Sequence, residues 1–140
     1  MQLKQTSKQL VISGTLIIWI IKFIIRPMDL FDGNGKFFLG IAPNLFGSFL
    51  IPFAAYWFFS GRNFLIARVF KIESTYDLRM VCMLGLVMLI VNEYLQKIQF
   101  FGRTFDYYDI VFSTMGLALS YVMFPKRFYD RAPLPRSETP

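Results

Sequence analysis

Apolar residues in this chain collect into four long runs, at about residues 10–25, 38–59, 80–95 and 110–124, and the charges gather between them. Each run approaches the ~20 residues that a helix needs to cross about 30 Å of hydrocarbon. Inside a bilayer the backbone must satisfy its own hydrogen bonds, so runs of this kind predict helices. A transmembrane barrel would need many alternating segments of about ten residues, and the pattern holds none. The expected fold is therefore all-α: a polytopic membrane protein with a four-transmembrane-helix bundle over residues 1–124. A basic, Pro-rich tail (PKRFYDRAPLPRSETP) follows at 125–140.

Finer patterning refines these elements. The first run, LVISGTLIIWIIKFII, is longer than the core of a signal peptide, holds Trp19 and Lys22, and lacks a small-x-small site before Arg26-Pro27. It reads as a retained helix, with Lys22 reaching outward to water. Between the second and third runs, Arg62, Leu65, Ile66, Val69 and Phe70 alternate basic and apolar character at helical spacing, which predicts a short amphipathic helix lying on the membrane surface. Pro52 removes a backbone donor and is expected to bend the second helix. Ser113, Gly116 and Ser120, three and four residues apart, form a small-residue stripe suited to close helix contact. DLFDGNGK, residues 29–36, lacks the ligand ladder of a calcium loop and reads as a turn.

Composition narrows the chemistry. The 140 residues are 55% hydrophobic, and 17 of them are Phe. A soluble domain of this size has too much surface to carry that much apolar area. There is no His, and Cys82 is the only cysteine, so neither an internal disulfide nor a Cys/His metal site can form, and no metal or cofactor is expected. Cys82 sits in an apolar run and reads as a packing residue. The net charge of +6 could suggest nucleic acid, but no basic run with interleaved aromatics supports that partner. Topology explains the charge better. Ten of the Lys and Arg residues (Lys4, Lys8, Arg62, Arg68, Lys71, Arg79, Lys126, Arg127, Arg131, Arg136) fall on one side of the four spans, and Lys22, Arg26, Lys36, Lys97 and Arg103 fall on the other. The first side is then cytoplasmic, with both termini inside.

The most polar stretch between two apolar runs is NEYLQKIQFFGRTFDYYDI, residues 92–110. Glu93 and Gln96 share a helix face at i and i+3, as do Asp106 and Asp109. Asp106 is placed to cap the fourth helix. Glu93 follows Leu89-Ile90-Val91, where an ionisable group is costly unless it faces the bundle or a partner. A Glu93–Arg103–Asp109 clasp and a binding site for a headgroup or saccharide are both open readings. Asn44 and Ser48 put a slightly polar face on the second helix, either as a packing seam or as one wall of that site.

These residues resemble a known pattern. Glu93-x-x-Gln96 near the end of an apolar helix, then Arg103, then Asp106-x-x-Asp109 leading into a helix with Gly116, is similar to the VanZ-like membrane proteins. Asn44 and Pro52 resemble that family's second-helix residues. These are small bacterial multi-helix proteins named for one linked to teicoplanin resistance. The likeness spans about residues 44–122. It departs at Ser113, where the family has Asn, at Ser120 in place of a second glycine, and after Pro52, where Phe53-Ala54 replaces a glycine. The resemblance implies a multi-pass protein of the bacterial inner membrane with an envelope or antibiotic-resistance role.

The expected function is non-catalytic: engagement of a lipid headgroup, lipid-linked saccharide or lipoglycopeptide at the outer interface, through Glu93, Gln96, Arg103, Asp106, Asp109 and Asn44. The alternatives are a small accessory subunit, packing with a membrane protein partner or as a homo-oligomer, and a membrane-embedded enzyme using the three carboxylates. No His is present to act as base and no nucleophile elbow frames a Ser or Cys, which places the enzyme last.

Overall fold

The computed structural model describes residues 2–28, 32–96 and 106–125. Among them every regular element is helical. Helix α1 (Gln2–Ile20) continues as a π-helical turn over Ile21–Ile25, and is followed by α2 (Gly33–Phe59), the short α3 (Leu65–Phe70), α4 (Thr75–Gln96) and α5 (Tyr107–Met123). Three stretches, Leu3–Ile25, Gly33–Phe59 and Thr75–Leu95, are long and apolar enough to cross a membrane, which marks a membrane protein. Helix α5, with 17 residues, is shorter than these three. The tail and the loop carrying Arg103 lie outside the described residues.

Local chemistry explains where the helices begin and end. Helix α4 opens with a reciprocal cap: Asp77 N–H donates to Ser74 Oγ at 3.1 Å, and Ser74 N–H donates to Asp77 Oδ2 at 2.9 Å. Asp106 caps α5 as expected, its Oδ1 accepting from Tyr108 N–H at 2.9 Å. Helix α2 stops where Gly61 takes φ +81°, a conformation open to glycine at little cost. The π-helical turn closes with Arg26 N–H donating to Ile21 O at 3.0 Å, five residues back, just before Pro27.

One expectation shifts. The stretch read as a turn at 29–36 is already helical from Gly33, with Asp32 at the N-cap position. Its glycines therefore occupy the first turn of α2, where four backbone N–H groups have no partner within the helix in any case. Helix α2 also runs as one element through both Pro43 and Pro52. The short surface helix is present as α3: Ala67 is fully buried, while Leu65 (86% exposed), Ile66 and Val69 face outward.

The bundle is built around α2, which packs most extensively on α5 and next on α1, while α4 closes against α5. The contact face of α5 is the small-residue stripe, with Ser113, Gly116 and Ser120 all buried together with Leu117. Gly116 approaches so closely that a Cβ there would overlap Ser48 Oγ and the carbonyl oxygen of Leu45. At one end of the bundle a core forms from Val11, Phe53, Ile72, Leu78, Val81 and Phe124, with the Phe53 and Phe124 rings 5.2 Å apart. Lys4 reaches Ser60 O at this end, at 2.9 Å. Cys82, the only cysteine, is partly buried against the core.

Candidate functional site

The opposite end of the bundle is open. A cavity of about 780 Å³ lies there between the C-terminal end of α1 with its π-helical turn, the first half of α2, the end of α4 and the start of α5. Its volume falls within the ~300–1,000 Å³ range usual for ligand pockets. The polar positions singled out in the sequence converge on it: Asn44 from α2, Glu93 from α4, and Asp106 and Asp109 from α5. The antiparallel order of the helices brings them together, because each element presents its polar end to the same side.

Glu93 is buried at 8% exposure, on the α4 wall beside Asn92. Asp109 stands one residue ahead of the apolar stretch of α5, and is half-buried. Burial pushes its carboxyl above the usual range, and the nearby Asp106 adds to that. A hydrogen bond from the Asn44 side chain and the positive charge of Arg26 pull the other way. Asn44 is therefore part of the site. Its neighbour Ser48 is part of the seam instead, its Oγ donating back to Asn44 O at 2.8 Å and close to Leu45 O at 3.0 Å. Asp106 has a structural task as the α5 cap and also lines the cavity.

Gln96 ends α4, and its side chain lies outside the described residues, as does Arg103. The proposed Glu93–Arg103–Asp109 clasp therefore lies outside the described residues at its central member. The cations the structure places on the cavity are three others: Lys22, Arg26 and Lys36. Lys22 was expected to reach outward to water, and it is exposed. It also stands on the cavity wall, its Nζ 5.9 Å from the Phe23 ring centroid. Residues four apart share a helix face, and the wider π-helical turn draws them closer to one row, so Ile18, Lys22 and Arg26 all line the same side. The sequence signal for this was the spacing Lys22-x-x-x-Arg26 at the end of an apolar helix, facing the same side as the acidic hairpin.

The floor and back wall are small or apolar: Gly40, Pro43 and Gly47 on α2, with Ile18 and Ile41 beneath. Nothing lies within 4 Å of where a Gly47 Cβ would stand, and only Arg26 Nη2, at 3.9 Å, approaches that of Gly40. These glycines leave open space, whereas Gly116 permits contact. Among the described residues no group of three or more His, Cys, Asp or Glu could hold a metal ion. The chemistry available is that of a polar cavity with cations on one wall and carboxylates on the other, at the end of a membrane bundle. Comparison of the chain with family models, curated proteins and solved structures found no match.

Proposed function

We propose that this chain is a four-span protein of the bacterial inner membrane, with α5 as the fourth span and both termini cytoplasmic. Its open end binds the headgroup of an amphiphile at the outer interface, whether lipid, lipid-linked saccharide or lipoglycopeptide. The observation that carries this reading is the gathering of Asn44, Glu93, Asp106 and Asp109 on one cavity. An isolated clasp would need no such volume, and ionisable groups this close to a bilayer mark a functional site by default. The Lys/Arg asymmetry of the loops puts this end outside. The same four residues are among those that carry the resemblance to VanZ-like proteins, and their convergence supports an envelope or antibiotic-resistance role of that kind.

Catalysis is not part of the proposal. Asp106 is engaged in capping, and the remaining carboxylates share the cavity with Lys and Arg and, among the described residues, with no Ser, Thr or Cys. A second reading, as a subunit of a larger membrane assembly, draws on the apolar surface that includes Trp19, Phe38 and Val122, exposed at 60%, 67% and 73%. Lipid contact accounts for that surface equally well.

The test is the Asp109→Asn variant, purified from its native membrane beside the wild type and analysed by native mass spectrometry. The wild type should carry a bound amphiphile. The variant should reach normal membrane levels, lose the amphiphile, and lose any antibiotic- or envelope-stress phenotype of the wild-type gene. Full retention and full phenotype in Asp109→Asn would remove this function. A stoichiometric protein partner in place of an amphiphile would move the subunit reading to first place.

A further inference from the structure

We infer that the cavity takes a zwitterionic phosphate–ammonium headgroup, with the phosphate on Lys22 and Arg26 and the ammonium toward Asp109 and Glu93. This rests on the headgroup reading above and names the class of ligand within it.

The charges are sorted by wall. Lys22 and Arg26 stand on the π-helical turn and Lys36 on the first turns of α2, whereas Glu93 and Asp109 come from α4 and α5 across the cavity. Among the described residues neither Lys22 nor Arg26 has a carboxylate within ion-pair distance. Two cations without an ion-pair partner among the described residues, four residues apart on one wall, suit a phosphate, which accepts charge-assisted hydrogen bonds from both. Asp109 is held from one side by Asn44, so its carboxylate is fixed in place to accept from a ligand.

Net charge then selects among phosphates. Lys22, Arg26 and Lys36 are balanced by Glu93, Asp106 and Asp109 on the same cavity. A headgroup with phosphate and no amine would satisfy the cationic wall but bring uncompensated negative charge close to the carboxylates, which is costly. A headgroup bearing both signs matches both walls. The carboxylate wall also favours an ammonium that can donate hydrogen bonds over a fully methylated one. Access is from the side. Helix α1 packs on α2 and makes no contact of comparable extent with α4 or α5, so a lipid can bring its headgroup in between α1 and α4 while its chains stay in the bilayer. Ile18 and Ile41 offer an apolar floor at that depth.

The test uses the full chain, stripped of lipid in detergent and titrated separately with phosphatidylethanolamine, phosphatidylcholine and phosphatidylglycerol, with occupancy read by native mass spectrometry. Phosphatidylethanolamine should bind best. Soluble phosphoethanolamine should displace it, which separates recognition of the headgroup from recognition of the acyl chains. Lys22→Gln with Arg26→Gln should lower phosphatidylethanolamine occupancy about tenfold or more, as expected when charge-assisted contacts are lost. Asp109→Asn should reduce the preference for phosphatidylethanolamine over phosphatidylglycerol.

Equal or better binding of phosphatidylglycerol by the wild type overturns the inference without any variant having to fold. An amphiphile from the native membrane that is held independently of Lys22 and Arg26 overturns it too, and leaves the headgroup reading standing. A wild type that retains no amphiphile of any kind overturns both.

Discussion

Gly116→Ala is the sharpest test of how this bundle is held together. A Cβ at 116 would overlap Ser48 Oγ and the Leu45 carbonyl oxygen, and would stand 3.1 Å from Phe49 N. Ser48 could rotate away at the loss of its bonds to Asn44 and Leu45. The Leu45 oxygen is backbone and cannot. An ordinary carbon–oxygen contact needs about 3.3 Å or more, so α2 and α5 must separate by roughly an ångström along the most extensive seam in the bundle. Overpacking of this kind costs about 1–3 kcal/mol, occasionally more. The higher helix propensity of Ala returns up to ~1 kcal/mol. Because the obstruction is main chain, a net loss of about 2 kcal/mol is expected.

Gly47→Ala is the matched control. It makes the same chemical change one helix away, with nothing within 4 Å of the new Cβ, and should be neutral or up to ~1 kcal/mol stabilising. The assay is unfolding of purified protein in mixed micelles by a denaturing detergent, followed by far-UV circular dichroism and by the fluorescence of Trp19 and Trp57. Opposite signs for the two variants are the prediction. If Gly116→Ala unfolds within 0.5 kcal/mol of wild type, or if the two variants move together, the close α2–α5 approach is wrong.

Other outcomes follow from the same structure. Ser120 Oγ is buried with no hydrogen-bond partner among the described residues, so Ser120→Ala should stabilise the bundle by up to about 1 kcal/mol in the same unfolding assay; a loss of stability would reveal a partner. For topology, a cysteine at the exposed position Tyr107, in a Cys82→Ser background, should react with an impermeant thiol reagent in whole cells, while one at Asn63 should be protected; the reverse pattern inverts the orientation. Asp109 supplies a pH signature. Its carboxyl is raised above the ordinary value of 3.8, chiefly by burial, so the folded protein binds the proton more tightly than the unfolded chain. Wild-type stability should fall as pH rises from that ordinary value through the raised one, and stay lower above it. Asp109→Asn should lack this loss, being the more stable protein at neutral pH and converging with wild type in acid. A flat difference between them across that range would contradict the burial of Asp109.

Much of this architecture was legible because hydropathy and helix chemistry are local. The apolar runs locate the long helices, Asp106 announces its cap, and the Ser113–Gly116–Ser120 spacing identifies a contact face without any knowledge of the partner. Helix starts were less visible. Gln2–Lys8 and Thr75–Arg79 are polar enough to read as loops, yet they belong to α1 and α4, extended by ordinary propensity and, for α4, by the Ser74–Asp77 cap. The acidic side of the cavity was legible too, since Glu93, Asp106 and Asp109 crowd into one hairpin. Its cationic side was not. Lys22 and Arg26 lie some 70 residues earlier in the sequence, and their spacing puts them on one helix face, but nothing local shows that this face turns toward the acidic residues.

That turn connects packing to function. In a regular α-helix carried on past Ile20, Ile18, Lys22 and Arg26 would still share one face, drifting by about 40° at each four-residue step. Widening the turn reduces that drift at the cost of weaker helix geometry, a cost of the kind that protein structures carry at functional sites and offset elsewhere. Here the offset is visible at the other end, where Val11 of the same helix enters the core with Phe53 and Phe124. Replacing Arg26→Gln separates the two roles. It should leave the core end and the far-UV spectrum intact, and still lower headgroup retention by removing one charge from the cavity wall. Retention at wild-type occupancy in Arg26→Gln would show that Arg26 does not matter, and the cationic wall would have to be assigned to Lys22 and Lys36 instead.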